Sequence, residues 1–138
     1  MSPSPWERAG DFFMKKIINT PNAPAAIGPY SQAVEANGTL YISGQLGINP
    51  AVGKIEATTV TAQTEQIFAN IKAILDEAGY TFADVVKSTV FLSDIANFAE
   101  MNAVYAKYYQ TECPARSAFA VKDLPLGGLV EIETIACK

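Results

Sequence analysis

The pair Asn37-Gly38 is the feature that most constrains how this chain folds. It separates two short runs of strand-forming residues, 33–36 and 39–43. A two-residue type I′ turn needs positive φ at both positions, which asparagine and glycine tolerate, so the pair predicts an antiparallel hairpin. The sequence thus indicates a β-sheet near its beginning. Residues 16–19 predict a further short strand, and residues 44–53 predict a loop.

A helix and a buried strand follow the hairpin. The spacing predicts a helix over 60–78, and Gly79 is a natural end to it. Its apolar face consists of Ile67, Ile71, Ile74, Leu75 and Ala78. Residues 85–92 are rich in β-branched side chains and predict a buried strand.

The second helix begins near Asn97, where Asn97-Phe98-Ala99-Glu100 has the composition of a capping box. An apolar stripe continues it, and Pro114 lies beyond its end. The stripe consists of Phe98, Met101, Tyr105 and Tyr108. Residues 116–121 and 129–136 predict the last two strands. This order of elements predicts an α+β fold, one mixed β-sheet with two α-helices on one face.

Composition and length indicate one globular domain. The chain has 138 residues, of which 49% are hydrophobic and 17% are charged. We expect residues 14–138 to form this single domain. Residues 1–13 contain two prolines and no helix or strand period, and they lack the charged and apolar regions of a signal peptide. We expect them to be an extension or expression tail outside the fold, although a native arm packed on the domain is the alternative.

Several classes of site are excluded by residue counts. The chain contains no histidine, so Ser-His-Asp catalysis and histidine-ligated metals are impossible. Cys113 and Cys137 are not spaced for a zinc site, and the sequence leaves open whether they form a disulfide. A net charge of -4 argues against nucleic acid as a partner. No apolar run approaches the roughly 20 residues of a membrane span, and we expect a cytoplasmic protein.

The last predicted strand has two unlike faces. Val130, Ile132, Thr134 and Ala136 share one face, which suits a position beneath the helices. The opposite face carries Glu131 and Glu133 between Leu129 and Ile135, an unusual mixture for a bare surface. Burial in a homo-oligomer would explain it. An open antiparallel sheet with one wet face is the alternative.

Arg116 is the first candidate for binding a ligand. The chain has only one other arginine, Arg8, which lies in the N-terminal segment. A guanidinium grips a carboxylate or phosphate through two parallel hydrogen bonds, and a place at the start of a strand would fix its position. A surface ion pair is the alternative interpretation.

Two carboxylates and a tyrosine are the other candidates. Glu131 or Glu133 would serve as a general base if burial raised its pKa; otherwise they are charges on an edge strand that deter aggregation. Tyr30 follows a stiff Gly28-Pro29 turn and would present its phenol to a cleft. The alternative is an aromatic ring packed in the domain, with only its hydroxyl in contact with solvent. Ser43-Gly44 and Asn102 are weaker candidates.

Four stretches together resemble the RidA family of reactive-imine deaminases, also called the YjgF family. They are Asn22-Ala23-Pro24-Ala25-Ala26-Ile27-Gly28-Pro29-Tyr30-Ser31-Gln32, Ile42-Ser43-Gly44-Gln45, Cys113-Pro114-Ala115-Arg116-Ser117 and Val130-Glu131-Ile132-Glu133. The pairs Asn70-Ile71 and Val90-Phe91 fit the family too. The resemblance covers about residues 14 to 138. It implies a chorismate-mutase-like fold and a homotrimer in which three sheets close an inner barrel. The sites would lie in clefts between subunits.

The resemblance also implies an activity without a cofactor. Deaminating members hydrolyse 2-enamine and 2-imine acids, such as 2-aminoacrylate and 2-aminocrotonate, to 2-oxo acids and ammonia. Carried over, Arg116 would bind the substrate carboxylate, Glu131 would activate water and Tyr30 would help to order it. The remaining lining would come from Ser43, Gly44, Asn102 and the backbone of Ala118. Many members have cysteine where this chain has Ala118, which removes a thiol but leaves the backbone.

Two other functions remain open at this point. The first is a trimeric binding module that holds small carboxylates without turning them over, which the presence of Arg116 and Glu131 disfavours. The second is an RNA-directed or translation-inhibitor role, which has been ascribed to some relatives and which the acidic net charge disfavours.

Overall fold

The structure, a computed structural model, describes residues 14–138. The prediction that residues 1–13 are an extension lies outside the described residues. The described part of the chain forms six strands and two α-helices, joined in places by short 3-10 turns. Their bounds are β1 Lys16–Ile18, β2 Ala33–Ala36, β3 Thr39–Leu46, α1 Val60–Ala78, β4 Val85–Leu92, α2 Phe98–Tyr108, β5 Ala115–Ala120 and β6 Val130–Cys137.

The predicted hairpin between β2 and β3 is confirmed. Asn37 has a φ of 57° and Gly38 a φ of 77°, as a type I′ turn requires. The prediction of a loop from residue 44 was wrong for the first three positions, because β3 continues to Leu46. The pairing of β3 with β6 shifts register between Ile42 and Gln45 and then resumes, with Leu46 opposite Glu131. Gly44 lies in this irregularity. Because glycine has a low strand propensity, the sequence pattern did not predict that the strand continues through it.

The six strands form one mixed sheet in the order β1-β2-β3-β6-β4-β5. β4 and β5 are parallel, whereas the other neighbours are antiparallel. The last strand of the chain is therefore central in the sheet. This position overturns the interpretation of Glu131 and Glu133 as charges of an edge strand.

Both helices pack on one face of this sheet, as predicted. The four residues of β6 that were assigned to the helix side, Val130, Ile132, Thr134 and Ala136, are fully buried. They lie in one core with the apolar face of α1, including Ile67, Ile71 and Ile74, and with Met101 of α2. The apolar side chains that recur every second residue in the strand thus pack against those that recur every 3.6 residues in the helices, and together they form one layer.

The predicted capping box at the start of α2 was wrong. The Asn97 side chain makes no capping hydrogen bond, and its backbone is already helical. A 3-10 turn at residues 95–97 precedes the helix, and Asp94 caps that turn by accepting a hydrogen bond from the Ala96 amide at 2.9 Å. The true cap therefore lies three residues earlier than the sequence pattern indicated.

The other face of the sheet is left without helices. Large apolar side chains are exposed on it, among them Tyr41 at 49% and Phe119 at 44%. Phe119 packs edge-on against Phe91 of β4, with ring centroids 5.4 Å apart. An uncovered apolar face of this kind is typical of an interaction surface. Among residues 14–138, no helix combines the length and apolar character needed to cross a membrane.

Gln32 fixes the long loop that leads into the hairpin. Its side-chain oxygen accepts a hydrogen bond from the Thr20 amide at 2.7 Å. Its side-chain nitrogen donates to the carbonyls of Thr20, Ala23 and Pro24 at 3.0, 3.2 and 2.9 Å. One buried side chain thus replaces the regular backbone pairing that the proline-containing loop lacks.

Replacement of Gln32 by alanine should lower the free energy of unfolding by about 1–3 kcal/mol, because it leaves buried backbone groups without partners. Urea unfolding at equal protein concentration measures the loss. Gln110→Ala is the matched control, since its amide makes only one exposed hydrogen bond of 3.4 Å. Equal stability of the two variants would contradict the assigned role of Gln32.

Candidate functional site

An open cleft of about 710 Å³ lies beside the uncovered face of the sheet. Its walls come from the loop fixed by Gln32, from the end of β3 and from one face of β6. The wall is largely apolar. Its lining includes Ile27, Tyr30, Ser43, Gly44, Phe91 and Glu131.

Tyr30 and Ser43 lie in this cleft, as the sequence predicted. Tyr30 is 52% exposed, and its phenolic oxygen accepts a hydrogen bond from the Ile27 amide at 3.4 Å. The phenolic proton thus remains available to a ligand. The Ser43 hydroxyl donates to the carbonyl of Ser31 at 2.6 Å. Ser43 therefore ties the strand to the loop, and it offers a ligand only its oxygen lone pairs.

Glu131 reaches the cleft from the middle of β6 and lies against Gly44. A Cβ atom at Gly44 would approach the Glu131 carboxyl carbon to 3.0 Å, so the absence of a side chain makes room for the carboxylate. Burial raises the pKa of Glu131 above its ordinary value of 4.5, and the nearby charge of Glu133 raises this pKa further. A carboxylate of raised pKa in an apolar cleft is suited to accept a proton from water.

Arg116 lies outside this cleft, at the start of β5. Its Nη1 donates to Oδ1 of Asn102 in α2 at 2.7 Å. The guanidinium carbon lies 4.7 Å from the ring centre of Tyr105 and 5.4 Å from that of Phe98. Within residues 14–138, no carboxylate comes within ion-pair distance of it, so these residues do not form the surface ion pair that was the alternative. None of them neutralises the guanidinium, which suits it to binding an anion.

The structure thus brings the predicted residues together in two separate groups. Tyr30, Ser43, Gly44 and Glu131 share the cleft, whereas Arg116, Asn102 and Ala118 lie at the β5 edge. Arg116 is in register with buried Ser88 on the helix side, while Glu131 is in register with Phe91 on the uncovered face. Side chains on opposite faces of a sheet cannot hold the same small molecule. Within one protomer the two groups are therefore separate, and we call them the Glu131 half-site and the Arg116 half-site.

Sequence reasoning missed the residues that support each half-site. Phe98 and Tyr105 were assigned only to the core stripe of α2, yet they also lie beneath the guanidinium of Arg116. Their seven-residue spacing, with Asn102 between them, places all three on one side of the helix, which is the signal that could have identified them. Gln32 and Phe91 had no such signal, because their roles depend on a loop and on a neighbouring strand.

The chemistry available here is acid–base catalysis and carboxylate binding. Among the described residues, no three Asp, Glu or Cys side chains converge in a way that could hold a metal ion. Cys113 and Cys137 are both exposed free thiols, so the disulfide left open by the sequence is not formed. The Cys113 thiol donates to the Tyr109 carbonyl at 3.3 Å and lies away from the cleft.

Known proteins resemble this chain over most of its length. The sequence model of the family described as Endoribonuclease L-PSP matches residues 20–138. A 2-iminobutanoate/2-iminopropanoate deaminase of Bos taurus is 53% identical over 123 residues, which span 89% of this chain and 90% of that protein.

Solved structures share the fold over almost their whole length. YyfA of Yersinia pestis, a protein of unknown function in the conserved Rid family, has a TM-score of 0.88 and 48% identity, covering 91% of this chain and 100% of that one. E. coli TdcF with bound serine has a TM-score of 0.84 and 40% identity, covering 89% and 98%. This chain therefore belongs to the Endoribonuclease L-PSP family, which includes the Rid proteins that its sequence resembles.

Proposed function

We propose that this protein is a deaminase that hydrolyses 2-imino acids, together with their 2-enamine tautomers, to 2-oxo acids and ammonia. The observation that carries the proposal is the 53% identity to a 2-iminobutanoate/2-iminopropanoate deaminase over 90% of that protein's length. The geometry supports it, because the chain supplies a guanidinium that pairs with no carboxylate among residues 14–138 and, in Glu131, a carboxylate for water activation. TdcF, which has this fold, binds serine, another small molecule whose carboxylate is attached to a carbon that bears nitrogen.

Arg116 orients the substrate in this proposal. A guanidinium has five N–H donors, and Asn102 accepts from one of them, so the fork geometry for a carboxylate is retained. Two charge-assisted hydrogen bonds fix the plane of the carboxylate and hence that of the adjacent C=N carbon. Fixing this plane presents one face of the imine to the attacking water.

Glu131 acts as the general base and then as the general acid in this proposal. Its carboxylate takes one proton from water as the oxygen adds to C2 of the protonated imine, which gives a tetrahedral aminoalcohol. Protonated Glu131 returns its proton to the nitrogen, and the hydroxyl of the intermediate gives its proton to Glu131 as the C–N bond breaks, which releases ammonia and the 2-oxo acid. The proton left on Glu131 balances the one that the imine carried, and it departs with ammonia as ammonium. Tyr30 holds the water through its phenol. The iminium carbon is already electrophilic, so general base catalysis and orientation suffice and no covalent nucleophile is required.

The active assembly that we propose is a homotrimer whose sites lie between subunits. The uncovered sheet face, with Tyr41 and Phe119 exposed, is the surface that would close the inner barrel. Such closure would bring the Arg116 half-site of one copy to the Glu131 half-site of another. The two half-sites lie on opposite faces within a protomer, and this separation is what supports an inter-subunit site.

An RNA-directed role is the second candidate, because the family description names an endoribonuclease. The chain has a net charge of -4 and no histidine, which offers neither a basic footprint for phosphates nor an imidazole for RNA cleavage. Cleavage of single-stranded RNA by the purified protein, lost in the Glu131→Gln variant, would favour this function over imine hydrolysis.

Arg116→Ala should reduce deaminase activity by about a hundredfold or more, because two charge-assisted hydrogen bonds are lost. Arg116→Lys should retain part of the activity, since it keeps the charge and loses the fork. Threonine dehydratase generates 2-aminocrotonate in the assay, semicarbazide competes for it, and 2-oxobutyrate formation is followed. Lys72→Ala is the control, since it removes a positive charge from the solvent side of α1. A folded wild-type protein that gives no acceleration would favour the binding module.

Glu133→Gln should move the acidic limb of the pH–rate profile to lower pH. The Glu133 charge contributes to the raised pKa of Glu131, and only ionised Glu131 accepts a proton from water. Removing that charge lowers the pKa, so a larger fraction of Glu131 is ionised on the acidic side. The profile is measured with the coupling enzyme in excess at each pH. An acidic limb that moves upward or stays in place would contradict Glu131 as the base.

Mixing two inactive variants tests the inter-subunit site directly. In a cyclic trimer that combines Arg116→Ala and Glu131→Gln subunits, one of the three interfaces pairs an intact Arg116 with an intact Glu131. Random exchange at equal amounts should therefore restore about one quarter of the wild-type rate. The variants are unfolded together, refolded and assayed. A site built within one protomer would regain no activity, which would overturn the proposed assembly.

A further inference from the structure

The surface on which Arg116 rests consists of two aromatic rings, those of Phe98 and Tyr105, which we call the aromatic seat. Both rings belong to α2, and Asn102 lies between them in sequence. The guanidinium carbon lies 4.7 Å from one ring centre and 5.4 Å from the other. A cation over an aromatic face at such distances is attracted by the ring quadrupole, and arginine also stacks on it.

The seat is more rigid than the arginine it carries. Arg116 is an exposed residue of an edge strand, whereas Tyr105 is only 6% exposed. The Tyr105 ring packs against Phe68 and Tyr109, with centroid separations of 5.8 and 4.8 Å. The core therefore fixes Tyr105, and Tyr105 limits where the long and flexible arginine side chain can settle.

The hydroxyl of Tyr105 makes a different contribution from its ring. It lies among the buried hydroxyls of Ser88, Tyr109 and Thr134. Ser88 is directly opposite Thr134 in the sheet and is in register with Arg116. Tyr105→Phe removes the hydroxyl and leaves the ring in place, so this variant separates the effect of the ring from that of the hydroxyl.

We propose that Tyr105 and Phe98 are positioning residues that set the carboxylate affinity of the site by holding the Arg116 guanidinium in place. The inference rests on the proposed carboxylate-binding role of Arg116. Neither ring has to touch the substrate, since the rings act through the arginine. Loss of the Tyr105 ring should weaken binding of the product 2-oxobutyrate by about twofold to fivefold, the range expected for one cation–π contact.

The first measurement is an NMR spectrum of the arginine Nε–H groups. The chain contains only Arg8 and Arg116, so two signals are expected, and an Arg8→Lys variant assigns them. In the wild-type protein the Arg116 signal should be displaced by the ring currents of the seat. This displacement should persist in Tyr105→Phe, whereas in Tyr105→Leu and Phe98→Leu the Arg116 signal should move towards the position of arginine in a short unstructured peptide.

The second measurement is calorimetric titration of the same variants with 2-oxobutyrate. Tyr105→Phe should bind as the wild type does, whereas each leucine variant should bind more weakly. Tyr108→Leu is the matched control, because Tyr108 lies in the same helix and stacks on Phe68 at 4.2 Å without contacting Arg116. This variant should lose stability and keep its affinity, which separates positioning from general damage to the core.

The outcomes separate the two levels of the proposal. Leucine variants that keep both the wild-type Arg116 signal and the wild-type affinity would overturn the positioning role, and Phe98→Leu provides this test if Tyr105→Leu fails to fold. A leucine variant whose Arg116 signal moves away from the wild-type position while its affinity for 2-oxobutyrate stays unchanged would also overturn the positioning role. A wild-type protein that binds no 2-oxobutyrate would overturn the carboxylate-binding role of Arg116, and the positioning role with it.

Discussion

The strict alternation of side chains in β6 is the constraint on which the rest of this structure depends. The strand lies in the centre of the sheet, so each of its residues faces either the helices or the uncovered side. Val130 and Ile132 are fully buried beneath the helices, which forces Glu131 between them onto the opposite face. Two helices can cover only one face, and the other is left with carboxylates among apolar side chains. One face of β6 thus packs in the core, and the other face carries Glu131 of the candidate site.

Separation of the two charged groups has an electrostatic consequence. Were Arg116 beside Glu131 in the protomer, the pair would neutralise itself, and the carboxylate pKa would fall. Instead, the guanidinium rests on aromatic rings and an amide, and it stays free to bind an anion. Burial and the nearby charge of Glu133 both raise the pKa of Glu131. Within one protomer, therefore, neither charged group neutralises the other.

The aromatic side chains of α2 serve stability and the site together. Tyr105 and Tyr108 both contact Phe68 of α1, and these contacts join the helices. Only Tyr105 also faces the guanidinium of Arg116. One large ring on α2 can therefore pack in the core and also support a binding residue, because it is wide enough to contact both Phe68 and Arg116.

The sequence by itself determined the elements, the hairpin and the division of β6 into two faces, since these follow from local periodicity and turn geometry. The bounds of α1 and β4 were predicted to the residue. It also identified the residues of the candidate site, through their resemblance to a family. The tertiary structure alone decided that β3 extends through Gly44, that Asp94 caps the turn before α2 and that β6 is central. It also decided which site residues share a half-site. The Asp94 cap is a local contact with the Ala96 amide, and the sequence offered Asn97 as a second residue suited to capping. The other features depend on contacts between segments distant in the chain, and the pattern of neighbouring residues carries no record of them.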